Sequence, residues 1–389
     1  MSIGQGRLTN IDRRHVIDKN DKPDITIVGA GVIGCAVAYE LGRRGAAVRV
    51  LECRDVGLGA TQASAGVLAP YIEAHHPGPL RALGMRSLDM YDAFVSDVVA
   101  DSGRVVPYER TGTLEVATDD ASLIRLEQTH QGLASAGVAC RMLSQTEARA
   151  AEPHLGESVR GALLLPSQGF VGAAALTAAL RRAGARHGVS FLTSHAASRL
   201  SVADGEIEIE TAQGTVTSDA VVLAAGSWAG RVVVAGEAPL PVRPVRGQLL
   251  RLLWSGTRLA RVIWSSRCYV VPWHDGSVLV GATVEEVGFD EGATVAGVTS
   301  LLDAVGELLP ATRDAGFDEV RVGLRPGTPD DLPIVGWSSA LPHLVYATGH
   351  YRNGILLAPL TARLVADLVL DGRKDPLLEV VAPGRFDAS

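Results

Sequence analysis

Gly29, Gly31 and Gly34 form a GxGxxG run, and an acid, Glu52, closes the segment that follows it. In such a run Gly29 permits a tight turn, Gly31 lets a pyrophosphate approach the backbone, and Gly34 lets a helix pack on a strand. The free N–H groups of a helix opening at Val32 and Ile33 can then bind the phosphates. Glu52 is placed to accept hydrogen bonds from the ribose hydroxyls of an adenosine. An acid there rather than a base disfavours a 2′-phosphate, so NADP fits poorly, while NAD and FAD both fit. A second kind of chemistry is signalled by Arg325, set in Gly323-Leu324-Arg325-Pro326-Gly327. Proline and glycine restrict the backbone beside it, and a planar fork of donors suits a bidentate grip on a carboxylate. Tyr269, in Cys268-Tyr269-Val270-Val271, could add its hydroxyl to that grip; core packing is the plainer role of a lone strand tyrosine.

A strand–helix–strand unit must hold the glycines. Ile25 to Val28 reads as a buried strand, Val32 to Arg44 as a helix stopped by Gly45, and Val48 to Leu51 as the next parallel strand. A small-residue segment, Val56 to Val67, then lets backbone approach a ligand closely. Helical periodicity marks residues 81–101 and 119–136, residues 111–116 alternate like a strand, and Ser144 to Glu147 is a capping box. The nucleotide-facing pattern resumes at Gly161 to Pro166, with a helix over 173–187 and β runs over 189–193, 198–211 and 215–224. The last ends at Ala225-Gly226-Ser227-Trp228, again small residues beside a strand end. Pro241 to Leu253, Val262 to Val271 and Ser277 to Thr283 read as long antiparallel strands, with a helix over 293–309 and a strand near 318–324. The chain returns with a strand over 343–348, the segment Gly349-His350-Tyr351-Arg352-Asn353-Gly354, and a helix to about Leu370.

The 389 residues exceed one typical domain, and with 47% hydrophobic and 20% charged residues they can bury a large core. A net charge of -7 and a pI near 5.8 leave no basic stripe for nucleic acid or an anionic membrane. Cys35, Cys53, Cys140 and Cys268 show no metal-ligand spacing, so free buried thiols of a reducing cytoplasm are expected, and no metal. No stretch has the roughly 18 uninterrupted apolar residues of a membrane span. Residues 1–23 read as a disordered leader. Segments 24–80, 161–236 and 325–389 are assigned to a nucleotide-binding domain, and 81–160 and 237–324 to a substrate-binding domain. The expected fold is therefore α/β (α+β overall): a Rossmann-like domain assembled from discontinuous segments, plus an antiparallel-sheet domain. Nicotinamide dehydrogenases usually complete their Rossmann domain in one block, so this interleaving points to a flavoprotein and to FAD.

Five segments carry a resemblance. They are GAGVIG at 29–34, Leu51-Glu52 with the loop to Gly66, VVLAAGSW at 221–228, VGLRPGTPDDLPIVG at 322–336 and ATGHYRNGILLAP at 347–359. With these the chain resembles the D-amino-acid-oxidase-like flavoprotein family, most closely its glycine oxidase branch of thiamine biosynthesis. The resemblance implies noncovalent FAD, two-electron oxidation of a small amine to an imine, and reoxidation by O2 to H2O2. Glycine would give glyoxylate and ammonia, or an imine passed on for thiazole assembly. It places FAD contacts on Val32, Ile33, Glu52, Cys53, Ala60, Thr61, Ala65, Gly66, Val67, Ala197 and the run His350, Tyr351, Arg352, Asn353, Gly354, Ile355 and Leu356. Substrate contacts fall on Tyr269, Arg325 and Arg352, which are also the expected catalytic residues. It suggests a homo-oligomer, such as a tetramer.

The residues themselves agree with this. A helix opening at Asn353-Gly354 offers N–H groups and a positive dipole end to the charge of a reduced flavin, with Pro359 close to its first turn. No general base is required if the amine binds neutral; His350 and Glu285 are candidates by residue type only. Two positions depart from the family pattern: Arg267 where a His can stand, and Val284 where a Met can. Both are expected in the substrate pocket, where an added arginine could favour a second acidic group. An oxidase or dehydrogenase for another amino acid or amine shares every motif; a noncatalytic FAD subunit and a nicotinamide dehydrogenase fit less well.

Overall fold

The computed structural model describes residues 24–254, 256–273 and 275–386; the expected leader, 1–23, lies outside them. The GxGxxG segment folds as its pattern predicts, with strand Asp24–Val28, helix Val32–Arg43 and strand Ala47–Leu51. They form the centre of a six-stranded sheet in the order 334–337, 344–348, 220–223, 24–28, 47–51, 190–192. All its neighbours are parallel except the edge strand Ile334–Trp337. Both faces are covered, as a parallel sheet requires. Ile25, Ile27, Ala220 and Val222 point into a helical core, whereas Val28, Val221 and Leu223 pack with Leu200, Ile207 and Ile209 of a four-stranded sheet.

An eight-stranded sheet runs 316–327, 243–253, 277–281, 269–272, 262–264, 113–117, 161–165, 141–144. Its pairs are antiparallel except where Val262–Trp264 meets Thr113–Ala117. Period-2 alternation gives it two distinct faces. Leu250, Leu252, Val270, Val278 and Val280 pack with helix Val295–Leu308, while Leu249, Val271 and Leu279 pack with Ala65 and Phe170 on the nucleotide side.

Several sequence expectations are corrected here. Strand Gly161–Leu165, expected to resume the nucleotide-binding part, pairs in the eight-stranded sheet, between Thr113–Ala117 and Arg141–Ser144. Strand Gly316–Gly327 runs past the expected boundary at 325. Helix Pro79–Ser102, assigned to the substrate side, buries Leu83, Leu88, Tyr91, Val95 and Val98 in the core that holds Val32–Arg43. The run 262–271 is two strands, because Ser265 turns the chain: its hydroxyl accepts from the N–H groups of Arg267 and Cys268. The run 198–211 is a hairpin turned at Asp204-Gly205, both at positive φ, the geometry an Asp-Gly turn favours. Cys53 is exposed and Cys140 half-buried, while Cys35 and Cys268 are buried; all four are free.

Helix Gly354–Asp371 contains Pro359 beyond its first turn, not in it. A proline there removes the N–H that would reach the carbonyl four residues back, Ile355. The fully buried Tyr91 hydroxyl donates to that carbonyl instead. Tyr91→Phe should therefore cost about 1–3 kcal/mol in urea unfolding, the penalty of a buried unpaired carbonyl. In a Pro359→Ala background, where a backbone N–H is restored, the loss should be clearly smaller. Equal losses in both backgrounds would show that Tyr91 acts through packing alone.

Candidate active site

The two sheets enclose a cavity of about 910 Å³ that runs from Glu52 to Arg325. At the Glu52 end the glycines divide into two sorts. Gly29 has φ 107°, and a methyl group on it would lie 2.5 Å from the Ala224 carbonyl oxygen; one on Gly34 would collide with the Gly29 carbonyl, and one on Gly66 with that of Val171. These three serve packing. Gly29 and Gly66 also line the cavity, as do Gly31 and Gly226, but at the last two the space is open: nothing but Thr61 Oγ1, at 3.4 Å, approaches a methyl group on Gly31, and nothing approaches one on Gly226. The Glu52 carboxylate accepts from the N–H of Ala30 at 2.7 Å and of Arg54 at 2.9 Å, which fixes its direction. Thr61 Oγ1 accepts from Val32 N–H at 3.1 Å.

The other sequence-predicted cofactor residues also line this cavity: Ile33, Cys53, Ala60, Ala65, Val67, Ala197, Ala225, Trp228, and His350 to Ile355. Leu356 is the exception. Its side chain belongs to the helical core, turned toward Gly84. His350 is buried, hydrogen-bonded through Nε2 to Thr361 Oγ1 at 2.9 Å, and burial pushes its pKa down to about 3. It is a neutral structural imidazole, not a base.

At the far end Arg325 leaves its strand over Gly247, where a side chain would collide with the guanidinium. Its Nη1 donates to the carbonyls of Thr283 at 2.9 Å and Arg246 at 3.4 Å, and no acid among the described residues lies within ion-pair distance. Tyr269 lies against Gly281, its partner in the sheet register, and stacks on Trp264 at 4.8 Å. Burial raises its phenol pKa, against the pull of Arg325 and Arg352, so the hydroxyl stays protonated and can donate.

Arg352 also reaches this end, and here the sequence reading missed a partner. Glu73 faces it fork to fork, with Nε–Oε2 and Nη2–Oε1 both 3.2 Å, and the Arg352 guanidinium lies 5.7 Å from the Trp264 ring centroid. Burial raises the Glu73 pKa, opposed by Arg352 and Arg325. The available signal was an acid directly after the apolar Pro70-Tyr71-Ile72. Arg267 and Val284 border the cavity, but the Arg267 guanidinium is paired with Glu307, and Val284 is 56% exposed. Glu285 does not line the cavity; it is bound to Arg246. Among the described residues no cluster of His, Cys, Asp or Glu could hold a metal, and no helix is long and apolar enough to cross a membrane.

A dinucleotide-sized cleft with a directed acid at one end and a guanidinium without an acidic partner at the other is the arrangement expected of a flavin-dependent oxidoreductase. The family model for FAD dependent oxidoreductases (DAO) matches residues 24–368, and the chain belongs to that family. Its cofactor is FAD, and the cavity fits it. Gly31 and Gly226 leave open the space that side chains would fill, Glu52 can hold the ribose, and the first-turn N–H groups after Asn353 can face the flavin. The bifunctional protein ThiO/ThiG of a Nostoc species is 38% identical over 362 residues. That match covers 91% of this chain and 54% of the relative, so the chain spans about half that protein's length. The crystal structure of glycine oxidase from Geobacillus kaustophilus superposes with a TM-score of 0.87 at 33% identity, covering 91% of this chain and 96% of the other. That of iminodiacetate oxidase from Chelativorans sp. BNC1 gives 0.84 at 28% identity, covering 92% and 98%.

The two sorts of glycine are separable by experiment. Gly31→Ala should fold normally but bind FAD at least about tenfold more weakly, because its methyl group enters ligand space. Gly34→Ala should cost about 3 kcal/mol or more and yield little folded protein, since the methyl group meets fixed backbone. Near-normal FAD affinity in Gly31→Ala, read by fluorescence titration of the apoprotein, would show that the pyrophosphate does not pass there.

Proposed function

We propose that the protein oxidises glycine or a closely related small amino acid or secondary amine, using O2 and forming H2O2. The observation that carries this is Arg325, a guanidinium held on one side by backbone carbonyls and presenting its remaining donors to the cavity without an acidic partner among the described residues. A substrate carboxylate supplies that partner. For glycine the balance is glycine, O2 and H2O to glyoxylate, NH3 and H2O2; an imine released before hydrolysis could instead feed thiazole assembly. FAD, when bound, supplies the two-electron acceptor for the hydride of the α-carbon and passes the electrons to O2. Arg325 binds the carboxylate and Tyr269 donates to it, which fixes where the α-carbon sits. No side chain is assigned as base: His350 is held by Thr361 and burial lowers its pKa, and none is required if the amine binds in its neutral form. A homo-oligomer is proposed with this reading, on the family resemblance.

The charge balance favours one carboxylate per substrate. Of the three arginines expected at the substrate, Arg352 is matched by Glu73 and Arg267 by Glu307, leaving Arg325; Arg81, which also lines the cavity, gives its donors to the Ala74 and His75 carbonyls. A substrate with a second carboxylate, such as the one named for the Chelativorans neighbour, would have to displace Glu73 from Arg352. Glu73→Gln should accordingly improve the affinity for iminodiacetate relative to glycine by about tenfold, the scale of one charge-assisted contact. An unchanged ratio would remove Glu73 from the specificity argument.

The primary test is anaerobic mixing of FAD-loaded protein with glycine or sarcosine. The yellow flavin band should bleach, and air should restore it with formation of peroxide. Bleaching by neither amine, but by a larger one, would move the substrate; bleaching without recovery in air would make the enzyme a dehydrogenase. Arg325→Leu should retain FAD but lose roughly 2–5 kcal/mol of substrate binding, on the order of 30-fold to several-thousand-fold. It should also bleach more slowly at saturation, and Arg325→Lys should recover only part of both. Normal affinity and rate in Arg325→Leu would reduce Arg325 to a strand-end residue.

A further inference from the structure

Behind Arg325 lies a polar network, anchored on the buried Arg246 and Gln248 and reaching the half-buried Thr283 and Glu285, to which the proposed reaction assigns no role. Along strand Arg243–Leu253, Gly247 and Leu249 face the cavity and the nucleotide side, whereas Gln248, Leu250 and Leu252 face helix Val295–Leu308. Arg246, with a side chain only 4% exposed, gives Nε and Nη2 to Glu285 Oε2 at 3.1 and 2.5 Å, and Nη1 to Asp290 and the Gly292 carbonyl. The other Glu285 oxygen, Oε1, accepts from Gln248 Nε2 at 2.8 Å and from Thr283 Oγ1 at 2.5 Å. Thr283 is held again by Gln248: Gln248 N–H donates to Thr283 Oγ1 at 2.9 Å, and Thr283 N–H donates to the Gln248 carbonyl at 3.2 Å. Gln248 in turn exchanges hydrogen bonds of 2.9 Å with Thr294, the N-cap of helix Val295–Leu308. The Thr283 carbonyl accepts from Arg325 Nη1 at 2.9 Å.

We infer that Thr283 and Glu285 are positioning residues for Arg325, transmitting the rigidity of the buried Arg246–Gln248 network to the guanidinium that grips the substrate carboxylate. The argument rests on the proposed role of Arg325. Glu285 cannot touch substrate, since it does not line the cavity; it acts by fixing Thr283. The Thr283 side chain takes one hydrogen bond and gives another, and its N–H takes part in a third, so its carbonyl has little freedom to rotate. That carbonyl is the shorter of the two acceptors that orient Arg325. A long arginine side chain without an acidic partner has several staggered positions available, and a carboxylate grip needs one of them. The brace supplies orientation without neutralising charge. A carboxylate placed directly on Arg325 would have oriented it too, but would have occupied the site.

The test uses FAD-loaded protein titrated with glycolate, a small carboxylate that lacks the amine, and followed by the flavin absorbance; reduction by glycinamide, which lacks the carboxylate, is measured in parallel. Thr283→Val should weaken glycolate binding by about tenfold, as expected when a gripping group is misplaced by a fraction of an ångström. Thr283→Ser, which keeps the hydroxyl, should restore it to within about threefold. FAD content and the rate with glycinamide should hold in both, a pattern that general loosening of the fold would not produce. Should Thr283→Val not fold, Glu285→Gln decides by the same criteria, because it replaces the charged acceptor of the Thr283 hydroxyl with a neutral amide of the same shape. Unchanged glycolate affinity, equal losses for glycolate and glycinamide, or failure of Thr283→Ser to recover would each overturn the inference. Arg325→Leu in the same titration separates it from the functional reading. If that variant also binds glycolate normally, the role of Arg325 falls; if it loses glycolate while Thr283→Val does not, only the brace falls.

Discussion

A guanidinium half-buried between two sheets, with no acid among the described residues within ion-pair distance, is an expensive thing to build, because removing a charge from water costs several kcal/mol unless something answers it. Much of the architecture around Arg325 can be read as the means of carrying that cost. Glycine at position 247 opens the space the side chain needs, and two carbonyls satisfy one nitrogen. The acids that could have neutralised it are committed elsewhere, Glu73 to Arg352 and Glu285 to Arg246. The charge that remains is available to a ligand.

The eight-stranded sheet makes this separation possible. Alternation along one strand sends Arg246 and Gln248 to one face and Gly247 to the other, so a satisfied ion network and an unsatisfied cation lie side by side without cancelling. A helix could not do this with adjacent residues, since its neighbours fan around a cylinder instead of alternating between two surfaces. The same pleat brings Tyr269 over Gly281, which lets an aromatic ring lie flat against the sheet and hold its hydroxyl near the cavity.

What was legible in the sequence follows from the range of the interactions involved. The strand–helix–strand unit around Gly29 to Glu52 is nearly self-contained, and its elements, with Glu52 directly after the second strand, could be read within a few residues. Arg325 stood out because proline and glycine restrict its neighbourhood, whereas Tyr269 was singled out by the family resemblance. Strand Gly161–Leu165 was assigned to the wrong part, since an apolar run buried on both faces looks alike in either sheet and only pairing decides. Helix Pro79–Ser102 showed an apolar stripe, but a stripe states that a face is buried and not what covers it. Arg267 was expected in the pocket because it stands where the family can carry a His; it lies in the turn at Ser265, and its guanidinium pairs with Glu307. Glu73 acquires meaning only from Arg352, 279 residues away.

A substrate clamp of the kind proposed for Arg325 is useful only at a fixed distance from the flavin, and backbone contacts tie Arg325 to the elements that line the cofactor cavity. Directly after Arg325, the Pro326 carbonyl accepts from Tyr351 N–H at 3.0 Å, and Tyr351 is held at φ 46°, a left-handed turn that leads into helix Gly354–Asp371. Directly before it, the Leu324 carbonyl accepts from Ser227 Oγ at 2.8 Å, in the segment that ends a strand of the nucleotide sheet. One residue further back, a side chain on Gly323 would press on Ala60 and Ala63, so strand and cofactor loop touch without an intervening group. The residues on both sides of Arg325 are thus fastened to the elements that line the cofactor cavity, while the guanidinium itself is braced from its own sheet. Hydride transfer loses rate steeply when the reacting atoms drift from contact distance. Hydrogen bonds from Tyr351 and Ser227 to the residues flanking Arg325 meet that demand by connectivity, if Arg325 grips the substrate as proposed.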